Sequence, residues 1–119
     1  MIRDMNLVRE ILLAMESRSR KESSPRLQIA GHSDEEIYYH MKLMSEAGLI
    51  MAKFAEAGLE VAAFPNRLTW AGHEFLDAAR EPARWSAATK TIREKAGAVG
   101  FEVLKELLIA IAKKAVGVP

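Results

Sequence analysis

At 119 residues, 50% of them apolar, the chain has the length of one ordinary domain and can bury a core without staples. It contains no cysteine, which excludes a disulfide scaffold, a thiolate zinc site and a cysteine nucleophile together. With 17 basic and 16 acidic side chains the net charge is +1, so no global field draws the chain onto nucleic acid or an anionic membrane, and any such binding has to come from a local patch.

The opening Met1-Ile2-Arg3-Asp4-Met5-Asn6 lacks the apolar run of a signal peptide, and the strongest apolar run, Leu107 to Ala112, is far shorter than the roughly 20 residues of a membrane span. A cytoplasmic location is expected. From Asp4, a candidate N-cap, Met5, Val8, Ile11, Leu12 and Met15 recur at three- and four-residue spacing and predict a helix ending near Ser17. Ser17 to Pro25 is Ser-rich, carries Arg18, Arg20 and Lys21, and reads as a loop. Arg26 to Ile29 alternates like a short strand, closed by Gly31. Ser33-Asp34-Glu35-Glu36 has the pattern of a capping box. It predicts a helix that buries Ile37, Met41 and Met44 and stops at Gly48.

Leu49 to Phe54 and Leu59 to Phe64 read as two strands around a Glu56-Ala57-Gly58 turn, with Pro65 confining the second to an edge or ending it. Thr69 is placed to cap a helix running to about Arg80, and Pro82 fits the first turn of a further helix. A last helix, about Phe101 to Ala115, carries Phe101, Leu104, Leu108, Ile111 and Ala115 on one stripe with Val103, Leu107 and Ala110 beside it. That stripe is too broad for one neighbouring helix. The order predicts a mainly α protein with a small antiparallel β wing. A winged helix-turn-helix-like domain spans residues 1–80, and a two-helix extension, residues 81–119, is expected to pack on it and self-associate. A full winged helix has a separate short helix before the main one; only Ala30 to His32 is available here.

Several stretches are familiar together: Arg3-Asp4-Met5, Ile37-Tyr38-Tyr39-His40-Met41, Glu46-Ala47-Gly48-Leu49-Ile50, Arg67 to Asp77, and Phe101-Glu102-Val103-Leu104-Lys105. They resemble a bacterial and prophage family catalogued as domain of unknown function 2513, over nearly the whole chain. More loosely, Glu46 to Ile50 followed by Arg67-Leu68-Thr69 and Gly72 resembles the end of the recognition helix and the wing of bacterial winged-helix regulators. That likeness implies binding of double-stranded DNA, often as a homodimer.

The residues pull against it. A groove-facing side of the Asp34–Ala47 helix would present Asp34, Glu35, Tyr38, Lys42, Ser45 and Glu46, of which only Lys42 is a cation, whereas DNA affinity comes largely from Lys and Arg on phosphates. Supporting cations are Lys53 and Arg67 at the wing and Arg18, Arg20 and Lys21 in the first loop. Between Arg84 and Lys114 seven basic residues face three acidic ones, a pattern that a solvated helix surface also produces. The expected role is a non-enzymatic DNA-binding regulatory or accessory protein; the alternative is a protein-interaction module, with Tyr38 as the exposed aromatic of interest. Leu104, Leu107, Leu108 and Ile111 are the candidates for self-association.

His32, Glu36 and His40 lie four apart, as metal ligands on one helix face do. However, Glu36 is engaged by the capping box and His40 falls on the buried face, so a core histidine with a satisfied ring is expected. His73 and Asp77 read as a local pair one turn apart. Trp70 and Trp85 are both expected in packing. No catalytic residue, cofactor, metal or small-molecule substrate is expected, because no phosphate loop, dinucleotide fingerprint or metalloprotease motif occurs.

Overall fold

A computed structural model describes residues 1–18, 26–97 and 100–117. It shows a mainly α protein with one antiparallel hairpin as its wing, in the order α1 (Met5–Ser17), α2 (Asp34–Glu46), β1 (Ile50–Ala57), β2 (Glu60–Leu68), α3 (Trp70–Ala79), α4 (Pro82–Ala96) and α5 (Phe101–Ala115). The chain forms two compact units, Met1–His73 and Glu74–Pro119, which divide inside α3.

In the first unit, α1 starts where Asp4 accepts from the amides of Asn6 and Leu7, at 2.9 and 3.3 Å. The expected stripe is buried, and Leu7 is buried beside it, so α1 has a wider apolar face than its spacing implied. Arg26 to Ile29 forms no strand. Among the described residues the hairpin's two strands pair only with each other, and a four-residue segment without a ladder partner does not hold extended pairing. Leu27 is buried all the same. Gly31, at φ +84°, makes a turn in which the His32 amide donates to Ile29, and this turn stands where a winged helix would have its extra short helix. The Ser33–Glu36 capping box is complete in both directions.

Strand register pairs Ile50 with Leu68, Phe54 with Ala63 and Glu56 with Val61. The loop is Gly58-Leu59, so Glu56 and Ala57, expected in the turn, belong to β1. Gly58 at φ +64° precedes a residue of negative φ, the type II′ geometry that matches strand twist. Near the base the register shifts from Met51↔Arg67 to Ala52↔Pro65. Asn66 is therefore the extra residue of a bulge, and Pro65, which has no amide to offer, lies within the strand instead of ending it. Alternation puts Ile50, Ala52, Phe54 and Glu56 on the face toward α2, and Met51, Lys53 and Ala55 on the other.

The hairpin returns to the end of α2 through one tight corner. Gly48, at φ +76°, ends α2; the Thr69 amide donates to the Leu49 carbonyl at 3.0 Å. The Thr69 hydroxyl donates to the Gly48 carbonyl and accepts from the Gly72 amide. Gly72 is buried here, and a Cβ on it would overlap the Leu49 carbonyl oxygen. The close approach of α3 to this backbone demands glycine.

In the second unit, Phe75 meets Trp85 edge-on, with ring centroids 6.3 Å apart, and Phe101 at 4.9 Å. Glu81 caps α4 through the amides of Ala83 and Arg84, with Pro82 in the first turn as expected. Along α4, Trp85, Ala88, Thr89 and Ile92 are buried, and along α5, Leu104 and Leu108. Asp77 accepts from Arg80 at 3.1 Å, so its partner is the cation three residues on and not His73.

Candidate functional site

On the outward side of α2, where a winged helix would meet DNA, Tyr38 and Lys42 contact the wing while Asp34, Glu35 and Glu46 stay exposed. Tyr38 is half-buried; its ring stands edge-on to Phe54 at 5.8 Å and its hydroxyl donates to the Glu56 carboxylate. That hydrogen bond to an anion holds the Tyr38 hydroxyl above its ordinary range, with burial adding to the effect. The Lys42 ammonium lies over the Phe54 ring, 4.5 Å from its centroid, a cation–π contact that occupies the one basic group of this face. Register explains the meeting: Phe54 and Glu56, two apart on β1, share the face turned to α2, and Tyr38 and Lys42, four apart, share one side of the helix.

What stays open is acidic and apolar. A shallow cleft runs between the start of α2 and the hairpin tip, lined by Met1, Arg26, Asp34, Glu35, Tyr38, Tyr39, Leu59, Glu60 and Val61. Its cationic side chain, Arg26, lies 4.0 Å from Asp34. Leu59 is fully exposed at the tip, and Met1 is 60% exposed.

Among the described residues, the remaining cations of the sequence-predicted surface do not gather beside Lys42. Lys53 and Arg67 project from the outer face of the wing, away from α2. Arg67 also donates to the Leu68 carbonyl at 3.1 Å. Arg18 ends α1 and donates to the Arg26 carbonyl at 3.3 Å; Arg20 and Lys21 lie outside the described residues. Trp70, expected in packing, is 82% exposed, whereas Trp85 is buried as expected. The difference is position: Trp70 is the first residue of α3, where only Gly72 and the residues beyond it turn inward. Met51, at the base of the hairpin, is also exposed.

The two sequence-predicted histidines have structural partners. His40 is buried, and its Nε2 accepts from the Asp4 amide while Nδ1 donates to the Glu36 carbonyl, both at 2.8 Å. Because an amide can only donate, the ring must carry its proton on Nδ1. This bond ties the N-cap of α1 to α2. His32 sits with Nδ1 3.1 Å from Glu36 and Nε2 3.8 Å from Glu10 of α1. The hydrogen bond to Glu36, aided by the charges of Glu36, Glu10 and Asp4, raises the His32 pKa against the opposing effect of burial. The same bond, with the Ser33 amide, lowers that of Glu36. Among the described residues no three His, Asp or Glu side chains converge as a metal site would require. No described helix is long and apolar enough to cross a membrane.

Of the self-association candidates on α5, Leu104 and Leu108 are fully buried and so are not available as a surface, while Leu107 and Ile111 are half-buried. Val103 is 59% exposed, which helical periodicity alone does not distinguish from its buried neighbours.

Fold and surface together define a winged, mainly α protein whose hairpin engages Tyr38 and Lys42 of α2. The chain belongs to the family described as "Hypothetical protein (DUF2513)", whose model matches residues 2–98. A Haemophilus influenzae protein named "Uncharacterized protein" is 34% identical over 108 residues, covering 90% of this chain and 92% of its own length. No solved structure matches. The residues carrying the family resemblance include those at the two joints: Asp4 with His40, and Gly48, Leu49, Thr69 and Gly72 at the corner.

Proposed function

We propose that this protein is a non-enzymatic protein-interaction module, and that the open surface between the start of α2 and the hairpin tip is its contact face. The observation carrying this reading is the engagement of Tyr38 and Lys42 by Phe54 and Glu56. With those two occupied, the groove-facing side of α2 retains Asp34, Glu35 and Glu46, which repel phosphate. An exposed apolar tip beside half-buried tyrosines has the make-up of a protein contact, aromatic and apolar at its centre with charge around it.

The test is affinity purification from the native host with wild-type protein, Leu59→Asp and Glu35→Lys. Both substitutions fall on exposed side chains, so the fold should persist, as circular dichroism would verify. A partner retained by the wild type and lost by both variants is expected; recovery of the same proteins by all three would refute the assigned face.

A second reading is favoured by Lys53, Arg67 and the exposed Trp70, which give the outer wing and its base a cationic, aromatic character. In it the wing alone touches nucleic-acid phosphates. Two such contacts give a slope of only about −2 for log affinity against log salt. Binding of random duplex at low salt that Lys53→Ala and Arg67→Ala abolish, and Lys42→Ala leaves intact, would favour this reading over the first.

A further inference from the structure

We infer that the protein pairs with a second copy of itself through an antiparallel contact between the two α5 helices, using the flank Val103, Leu107, Ala110 and Lys114. On α5 the buried side is occupied by Leu104 and Leu108. The adjoining flank carries Val103, Leu107 and Ala110 at spacings of four and three, the rhythm of a helix–helix seam, and Lys114 continues it. None of these four is buried: Val103 is 59% exposed, Ala110 and Lys114 are exposed, and Leu107 is half-buried.

Two features identify the occupant as another copy of this helix. First, the stripe is its own complement when reversed. A two-fold axis midway between Leu107 and Ala110 sets the leucine of each copy against the alanine of the other, and Val103 against the aliphatic stem of Lys114. Large then meets small at the centre, as an isologous contact between close helices requires. Second, the charges beside the seam complement each other only in this orientation. Glu106 and Lys113 lie seven apart along its outer edge, so antiparallel pairing brings Glu106 of each copy near Lys113 of the other, twice by symmetry. Paired in parallel, the same edge would face the partner's Leu104 and Ile111 edge and meet no opposite charge.

The stripe is short, below the roughly 800 Å² per partner of a standard interface. A weak dimer, formed with rising concentration, is therefore expected. This pairing is independent of what the first unit binds, so neither reading of that unit stands or falls with it.

Sedimentation equilibrium over a concentration series tests it on the full chain. The wild type should dimerise. Glu106→Lys and Lys113→Glu, both on exposed residues, should each raise the dissociation constant by roughly tenfold, as two exposed pairs change from attraction to repulsion. The double variant should regain the wild-type constant, and an equimolar mixture of the two single variants should form a heterodimer. Circular dichroism should show unchanged helix content throughout. A wild type that remains monomeric at all concentrations would overturn the proposal, and so would a double variant no better than the single ones.

Discussion

α2 and α5 are both amphipathic helices with acidic residues in the first turn, yet they finish in opposite situations. On the polar side of α2 the protein's own hairpin engages the tyrosine and the lysine through Phe54 and Glu56 and leaves the carboxylates exposed. α5 buries one stripe and leaves a second, apolar one uncovered. The likeness to DNA-reading winged helices directs attention to α2. The open surface lies elsewhere, because a strand register that brings Phe54 and Glu56 to the inner face of the wing leaves α2 little free chemistry except carboxylates.

The contrast can be broken most severely within α5. Leu108→Ala should destabilise the fold by about 2–5 kcal/mol, the cost of a buried leucine, whereas Val103→Ala, one helix flank away, should shift stability by no more than about 0.5 kcal/mol. Urea denaturation of both variants measures the gap, and equal losses would show that Val103 belongs to the core. Gly72→Ala comes next. Its methyl group would press on the Leu49 carbonyl at the corner that returns the wing to α2, with an expected cost of about 3 kcal/mol, the upper range for over-packing. A thermal midpoint within a few degrees of wild type would disprove the close approach.

The smallest expected effect is one of pH and concerns the joint between α1 and α2. His32 has its pKa raised in the folded state, so its stabilisation is fully present below its unfolded value and is lost as pH rises through the folded one. Glu36 has its pKa lowered, so its contribution is present above the unfolded carboxyl value and is lost as pH falls through the folded one. The pair therefore supports the fold best in mildly acidic solution, between the ordinary carboxylate and imidazole values of about 4.3 and 6.5. Stability of the wild type should decline from about pH 6 to pH 8. His32→Asn should flatten that decline, and an unchanged slope in denaturation curves would remove the pair from the account.

The residues that stand out in the sequence prove to be joints. His40 is legible as a core histidine, since it falls on the face of Ile37, Met41 and Met44, but that its ring accepts from the Asp4 amide, 36 residues away, is not. Gly72 shares a helical face with Phe75 and Leu76, and nothing local marks it as the contact point for the Leu49 carbonyl. Trp70 shows the converse. Its size suggests packing, and its place in the first turn of α3, outside the inward arc, leaves it exposed.

The helices of the described residues, the Asp4, Ser33 and Thr69 caps, the hairpin and the absence of thiol chemistry are legible in the sequence, because these depend on composition, on spacing and on side chains reaching backbone within a few residues. It took the folded chain to show that Arg26 to Ile29 forms no strand, that Asp77 is held by Arg80, that Tyr38 and Lys42 are engaged by the wing, and which flank of α5 remains open. Each of these turns on competition among partners distant in sequence, and periodicity records that a face is apolar without recording what covers it.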